Sequence, residues 1–418
     1  MVAESVRQPP ASADGLGPDA REPDADRAWR DWRDRRPRPD GIHFDNAAAG
    51  RSSRRTLAAT VAHLQREAVA GPYVAQAEAA PVLDQGRADL AGLLGLPPRG
   101  LAFTESASAA RARLLAAWPL RPGDTVGIVR SEWGPNITAF TERGLQLTEL
   151  AAEDDGTVSL PQLARLLAAS PPNVVHLTQV ASHRGLVQPV RAAADLCRAA
   201  GVPLWVDAAQ AIGHVDTACG ADAIYATSRK WLTGPRGVGV LGIGERWWDS
   251  LHTTSNPLAR EHMASGASPM DLLESAEANV AGRVGLATAV AEYLAAGPAR
   301  VQARLAAVGR RTRQVLAGVP GWSVSGAVSG PSDGSSDGSL DGPADAPSAI
   351  TTVYPEAGQD VTAVRARLLA GHAIVTTMAS TQRAPREMTR AGLRVSPHVD
   401  CTEADLLALA AALAAESG

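Results

Sequence analysis

Two polar residues follow two apolar runs in the stretch 203–241, and their side chains could bind and activate an aldehyde cofactor. Asp207 comes directly after the run 202–206, and Lys230 follows the run 223–226. A carboxylate can keep a pyridine nitrogen protonated, so that the ring withdraws electrons. A lysine amine can bond to an aldehyde carbon and can also act as a base. The pair therefore indicates chemistry at a carbon that carries an amine.

The side chains around this pair complete a set of donors. Gln210 can reach a ring hydroxyl from the turn after Asp207, and Thr227 and Arg229 suit a phosphate, because a guanidinium forms paired hydrogen bonds with phosphate oxygens. Each residue alone has an ordinary alternative, since an acid after a strand often caps a helix and a lysine is usually a solvated surface charge. The full pattern of Asp-x-x-Gln, a second strand, Ser-Arg-Lys and Gly-Pro-Arg-Gly is far more specific, and it predicts a site for pyridoxal phosphate (PLP).

Buried strands that alternate with helices must position these groups. Short apolar runs predict strands near residue 101 and at 124–129, 173–179, 202–206 and 223–226. Helical spacing predicts helices at 56–70, at 78–94 and in two parts within 280–316, joined at Gly297-Pro298. Such alternation favours an α/β fold with a mostly parallel sheet, and open sheets of this kind bind ligands at the carboxyl ends of their strands.

The chain divides into four predicted parts. Residues 1–40 form a Pro-, Asp- and Arg-rich extension that we expect to be largely disordered, apart from a short helix near 28–35. Residues 41–55 form an arm, and residues 56–300 the large PLP-binding domain. Residues 301–418 form a smaller α/β domain, interrupted by a low-complexity insertion at 325–348 that we expect to be flexible.

Bulk properties exclude several classes of protein. The 418 residues are 45% apolar and 20% charged, which is typical of a globular chain. A formal net charge of −4 does not favour binding to nucleic acid or to an anionic membrane. The cysteines are scattered without the spacing of a metal site or a disulfide framework: Cys197, Cys219 and Cys401. No stretch approaches transmembrane length, and the N-terminus has no apolar signal region. We expect a cytoplasmic protein without a metal.

The segments DAAQAIGHV, SRKW and GPRGVGVL resemble the class V aminotransferase family of fold-type I PLP enzymes. That family includes cysteine desulfurases, selenocysteine lyases and kynureninases. The resemblance extends from Phe44 to the C-terminus, with the insertion excluded. It implies a sheet of the seven-stranded type, a smaller C-terminal domain and a homodimer. Arg229 stands where the family usually has a histidine, and with Trp231 it most resembles the C–S lyases of ergothioneine biosynthesis.

The resemblance implies further cofactor contacts. The turn Ser106-Ala107-Ser108 occupies the place of a Gly-Ala-Thr that holds the PLP phosphate at the start of a helix, so Ala107 and Ser108 become candidates. Trp133 replaces a histidine that stacks on the pyridine ring, and a buried core role is its alternative. Ser182 replaces an asparagine that touches the ring hydroxyl. Ala276-Glu277 replaces a Gly-Thr that reaches the phosphate of the partner subunit, where Asn279 and Arg283 are possible contacts.

The resemblance also implies how a substrate binds. Arg394 matches an arginine that forms a fork with an amino-acid α-carboxylate, and Asn46 and Ala47 match a segment at the mouth of the site. Cysteine desulfurases carry a mobile thiol in the segment that corresponds to 380–389, but this segment contains no cysteine. We therefore expect a chain that does not form a persulfide.

The implied reaction is β-elimination from a small sulfur-containing amino acid, hercynylcysteine sulfoxide, with Lys230 as the base. Tyr73, Trp133 and Trp231 are candidates for a cation–π contact with the trimethylammonium group of that substrate, and the sequence selects none of them. One alternative is another class V enzyme, such as a cysteine-conjugate β-lyase, a selenocysteine lyase-like enzyme or an aminotransferase. The other is a non-catalytic binding protein with the same fold.

Overall fold

A seven-stranded sheet forms the centre of the protein. The computed structural model describes residues 23–252, 268–275, 277–325 and 348–416. After a short strand β1 (Ile42–His43), the sheet strands are β2 (Leu101–Thr104), β3 (Thr125–Ile128), β4 (Gln146–Glu149), β5 (Val174–Thr178), β6 (Leu204–Asp207), β7 (Ala223–Thr227) and β8 (Gly239–Ile243). Their order is β2-β8-β7-β6-β5-β3-β4, and only β8 runs antiparallel to its neighbours. The predicted mostly parallel α/β sheet is confirmed.

Side chains along each central strand point alternately into two apolar cores. Along β6, Leu204 and Val206 pack in one core whereas Trp205 packs in the other. Along β7, Ile224 and Tyr225 divide in the same way. Successive strand residues point to opposite faces, so a continuous apolar run fills both cores at once. Burial of each large side chain stabilises the sheet by about 1.5–3 kcal/mol.

Helices cover both faces of the large sheet, and others pack against the smaller sheet that follows in the chain. They are α1 (Pro23–Asp34), α2 (Arg54–Ala70), α3 (Pro72–Leu94), α4 (Ala107–Ala117), α5 (Gly134–Glu142), α6 (Leu160–Ala169), α7 (Val190–Ala199), α8 (Val280–Ala296), α9 (Pro298–Ala317), α10 (Val361–His372) and α11 (Glu403–Ala415). The predicted break between two helices at Gly297-Pro298 is confirmed. Gly297 adopts a positive φ of 84°, which ends α8, and Pro298 begins α9.

The smaller sheet is antiparallel and carries one side of the site. Its strands β9 (Trp322–Val324), β10 (Thr351–Pro355), β12 (Thr377–Ala379) and β13 (Gly392–Val395) lie in the order β12-β13-β10-β9. The short β11 (Ile374–Val375) instead pairs in parallel with β1. The neighbouring strands β11 and β12 therefore belong to two different sheets. The β1–β11 pair thus connects the arm (residues 41–55) to the segment that leads into β12 of the smaller sheet.

The short helix expected near 28–35 is confirmed as α1, which begins earlier than expected, at Pro23. Trp29 and Trp32 lie on one side of this helix and are buried in the main core. Their burial offsets the entropy of ordering the segment, which composition alone does not reveal. Residues 1–22 lie outside the described residues, as do residues 326–347 of the predicted insertion.

None of the helices in the described ranges is both long and apolar enough to cross a membrane. Those same ranges contain no group of three histidine, cysteine, aspartate or glutamate side chains that could hold a metal ion.

Candidate active site

A cavity of about 180 Å³ opens where the carboxyl ends of β5, β6 and β7 meet the start of α4. Its far side is closed by Arg383 and by Arg394 of β13. The site therefore lies between the two sheets. Of the residues predicted from the sequence, the cavity wall brings together Ala47, Ala107, Ser108, Trp133, Asp207, Gln210, Thr227, Arg229, Lys230 and Arg394.

Lys230 presents the only lysine amine of the chain to this cavity. Its side chain is half-buried in the cavity wall, and desolvation by the surrounding protein lowers the pKa of the amine to about 7. Asp207 opposes the shift, whereas the nearby guanidinium of Arg229 adds to it. A substantial fraction of neutral amine therefore exists at neutral pH, as a nucleophile or a general base requires.

Asp207 is held at the end of β6 by two donors. Its Oδ1 accepts a hydrogen bond from the Ala209 N–H at 2.9 Å, and its Oδ2 accepts one from Asn136 Nδ2 at 3.0 Å. The carboxylate is buried and lines the cavity. These contacts fix the acid in the position that a partner of a pyridine nitrogen needs.

A buried network that sequence reasoning missed supports Asp207 from behind. Asn136 Nδ2 also lies 2.8 Å from Glu132 Oε1, and the other Glu132 oxygen lies 2.9 Å from His176 Nδ1. His176 Nε2 in turn lies 2.9 Å from the Tyr225 hydroxyl. Burial raises the pKa of Glu132, but His176 and the hydrogen bonds outweigh it and leave the pKa below its usual value. The spacing of Glu132 and Asn136, four residues apart across the start of α5, is the signal that the sequence contains.

The predicted phosphate turn lies at the start of α4. The Ser106 hydroxyl accepts a hydrogen bond from the Ala109 N–H, while Ala107 and Ser108 line the cavity. The first N–H groups of a helix have no partner within it, and the helix dipole favours an anion there. Strand β8 passes so close that a Cβ on Gly239 would lie 2.5 Å from the Ser106 carbonyl carbon. The turn thus fits a phosphate by its backbone.

Gln210 lines the cavity, but both ends of its amide are engaged. Its Nε2 donates to the Ala47 carbonyl oxygen at 2.8 Å, and its Oε1 accepts from Trp231 Nε1 at 2.9 Å. The predicted contact with a ring hydroxyl stays a prediction. Trp133 is half-buried at the start of α5 and faces the cavity. Among the three aromatic candidates for a cation contact, Trp231 is fully buried and Tyr73 lies on the surface, so only Trp133 is placed to touch a ligand.

Arg394 reaches the cavity from β13 and is fully buried. Its guanidinium donates to the Ser182 carbonyl oxygen at 3.1 Å and to Asp45 at 3.3 Å. Arg394 Nε remains without a partner in the described structure, as does the buried Ser182 Oγ. Buried polar atoms are nearly always satisfied. Both atoms are therefore suited to a polar ligand, and the donor set as a whole fits PLP together with an amino acid.

The prediction that Asn46 contacts the substrate is not supported, because Asn46 does not line the cavity. Its Nδ2 donates to the Ser396 carbonyl oxygen at 2.8 Å and so joins the arm to the end of β13. The next residue, Ala47, does face the cavity. Residues 46–48 form a turn, which directs Ala47 and Ala48 to the cavity and the Asn46 side chain to Ser396.

The predicted contacts with a partner subunit remain predictions. Glu277 is exposed, whereas Ala276 lies outside the described residues. Asn279 caps α8 by accepting from the Gly282 N–H at 2.8 Å. Arg283 forms an ion pair with Glu274 of its own chain at 2.8 Å.

The aminotransferase class-V family model matches residues 42–408. A protein described as "Probable hercynylcysteine sulfoxide lyase" from Mycobacterium tuberculosis is 44% identical over 387 residues, which is 92% of each chain. A cysteine desulfurase of Serratia proteamaculans is 31% identical over 183 residues, 41% of this chain and 45% of its own.

A solved structure of a cysteine desulfurase from Escherichia coli superimposes with a TM-score of 0.74 at 19% identity. The match covers 93% of this chain and 98% of the other, and it shows a shared fold. The family model matches most of the chain, and Lys230, Asp207 and Arg394 lie in one cavity. The chain therefore belongs to the class V aminotransferase family.

Proposed function

We propose that this chain is a PLP-dependent C–S lyase that cleaves hercynylcysteine sulfoxide by β-elimination. The observation that carries the proposal is the placement of Lys230, the only lysine, in one cavity with Asp207 and Arg394. The 44% identity over 92% of the chain with a probable hercynylcysteine sulfoxide lyase supports this substrate over others of the family.

Each residue has a separate role in the proposed reaction. Arg394 holds the cysteinyl carboxylate, Lys230 removes the Cα proton, and Asp207 keeps a proton on the pyridine nitrogen. When bound, PLP stabilises the negative charge that develops at Cα. The Cβ–S bond then breaks, and the imidazole fragment leaves as a sulfenic acid. Hydrolysis turns the remaining three carbons into pyruvate and ammonia, and a reductant such as a thiol converts the sulfenic acid into ergothioneine.

The thiols of the chain support a lyase over a desulfurase. Cys197 and Cys219 are buried in the main core, and their burial raises the pKa of each thiol. Cys401 is half-buried, and burial raises its thiol pKa as well. None of the three lines the cavity. A persulfide needs a reactive thiolate next to the substrate sulfur.

The first experiment is to incubate PLP-loaded protein with hercynylcysteine sulfoxide and a thiol reductant. Equal amounts of ergothioneine and pyruvate are expected, and Lys230→Ala should lower the rate at least about 1,000-fold, since it removes the base and the covalent anchor. Borohydride reduction of the loaded protein, followed by peptide mapping, should place the cofactor on Lys230 alone. A loaded wild-type protein that yields neither product would refute the substrate assignment.

Two other functions would give different results. Another class V lyase or a selenocysteine lyase-like enzyme would release pyruvate or alanine from a different substrate, and an aminotransferase would exchange the amine with a keto acid. A binding protein without catalysis would show neither reaction. Failure of Lys230 to bind PLP would favour the binding protein.

We propose in addition that the protein is a cytoplasmic homodimer. Leu57, Val61 and Leu64 lie on one face of α2 and are each exposed by 45% or more, and Tyr73 of α3 is 81% exposed. Exposed apolar surface of this kind is typical of an interface. All three cysteines are free, which supports a reducing compartment.

A further inference from the structure

Arg383 is a cation of the cavity wall that neither the sequence analysis nor the proposed mechanism uses. It lies in a short turn, Thr381–Arg383, and faces the same cavity as Lys230 and Arg394. Within the described residues its guanidinium has no hydrogen bond and no ion pair. Arg394, by contrast, donates to Ser182 and to Asp45.

The charges of the wall indicate a ligand with more than one anion. Among the described residues, the cations of the wall are Lys230, Arg111, Arg229, Arg383 and Arg394, and the one carboxylate that lines it is Asp207. Arg383 lowers the pKa of Arg394 and of Lys230, so its charge acts within the site. Among the described residues the carboxylate that acts on Arg383 is Asp45, which already pairs with Arg394, so this partly buried cation has no counter-charge of its own. The α4 turn with Arg229 suits the phosphate and Arg394 suits the α-carboxylate. Arg111 donates a hydrogen bond to Asn136 Oδ1 at 2.7 Å, so Arg383 is left for a third anion.

The segment that carries Arg383 is anchored to the large sheet region. A Cβ on Gly134, at the start of α5, would collide with the Gln382 carbonyl oxygen, which shows how closely the turn packs there. Glu387 forms ion pairs with His183 at 2.9 Å and with Arg184 at 2.7 Å. Ala384 and Met388 are buried beside it. Arg383 is therefore presented from a fixed wall.

We propose that Arg383 is a specificity-determining residue that binds the second carboxylate of the substrate, the one at its imidazole end. This inference rests on the proposed function, because hercynylcysteine sulfoxide carries one carboxylate on its cysteinyl part and another beside its trimethylammonium group. A guanidinium binds a carboxylate through two parallel hydrogen bonds. Arg394 and Arg383 would then hold the two ends of the substrate, with the scissile C–S bond between them.

Binding of ergothioneine to the PLP-loaded protein tests Arg383 without catalysis. Ergothioneine keeps the imidazole-end carboxylate, lacks the cysteinyl part and has no primary amine to react. By isothermal titration calorimetry, Arg383→Gln should weaken its binding by roughly 10- to 100-fold, as expected for a lost charge-assisted pair. Arg394→Gln should change it less than about threefold. Arg386→Gln is the matched control, because Arg386 lies in the same segment and its guanidinium pairs with Glu149, away from the cavity wall.

Kinetics provide the second readout. With hercynylcysteine sulfoxide, Arg383→Gln should raise KM by roughly 10- to 100-fold while kcat changes little. With S-methyl-cysteine sulfoxide, which has one carboxylate, Arg383→Gln should have the same KM as the wild type. Ergothioneine affinity that is unchanged in Arg383→Gln, or absent in the wild type, would overturn the role of Arg383. If the wild type turns over neither substrate, the proposed function falls, and the ergothioneine titration still decides whether Arg383 binds a carboxylate.

Discussion

Lys230 carries its amine in a place where a positive charge is unfavourable. Burial lowers the pKa of the folded-state amine to about 7, whereas the amine of an unfolded chain titrates near 10.4. Between these two values the unfolded chain binds more protons, so the free energy of unfolding rises with pH. Below about pH 7 both states are protonated, and the full cost of the buried charge remains.

The cofactor-free variant Lys230→Met should therefore be more stable than the cofactor-free wild type at about pH 6, by about 1–3 kcal/mol. Solvent in the cavity screens the charge and keeps this gain below the full shift. The gain should fall towards zero near pH 10, where the wild-type amine is neutral in the folded state. Denaturant unfolding at both pH values measures it.

Arg236→Gln serves as the control, because Arg236 is an exposed cation of the same segment. This variant should show no pH-dependent difference from the wild type. A stability gain of Lys230→Met that is equal at both pH values would mean that the amine is not charged at a cost in the folded protein.

At the scale of elements, α1 lies outside the family match, which begins at residue 42, and is linked to the catalytic segment through His398. The Trp32 ring stacks on His398 with centroids 5.4 Å apart, and His398 stacks on Trp231 at 5.9 Å. Trp231 directly follows Lys230 and is fully buried. A continuous stack of rings thus connects α1 to the segment that carries the reactive amine.

We expect Trp32→Ala to destabilise the protein by about 3–5 kcal/mol, as is usual for a buried tryptophan. It should also alter the visible absorbance of the bound cofactor and the pH at which that absorbance changes, because Trp231 loses its support. Trp29→Ala is the matched control, since Trp29 is buried on the same helix but makes no ring contact with this stack. It should lower stability without changing the spectrum. Identical spectra for both variants and the wild type would contradict a positioning role for α1.

At the scale of the whole molecule, the exposed apolar face of α2 and the start of α3 should be buried between two subunits. Leu64→Glu combined with Tyr73→Glu places two charges in that face, and the cost of burying them should shift the protein to a monomer. Light scattering after size-exclusion chromatography measures the mass. Leu407→Glu is the control, because Leu407 is equally exposed but lies on α11. A dimer that survives the double variant would exclude this face.

Local patterns in the sequence were sufficient for much of the site. Asp207, Thr227 and Lys230 follow short apolar strands, and parallel strands bring their carboxyl ends to one edge, so their proximity could be predicted. The turn at Ser106 could be predicted for the same reason, since a strand leads into it and a helix begins there. These inferences need only the apolar runs that predict the strands and the position of each polar residue after its run, and both are local properties of the sequence.

Other parts of the site depend on contacts between distant segments, and only the tertiary structure decided them. The register of the arm against β13 directs Asn46 to Ser396 and Ala47 to the cavity. The packing of Gln382 on Gly134, a residue in a distant part of the chain, brings Arg383 to the cavity that Lys230 lines. Helix α1 packs through Trp32 on His398, which lies near the other end of the chain. Such contacts arise from the shape of two packed surfaces, and no local spacing encodes that shape.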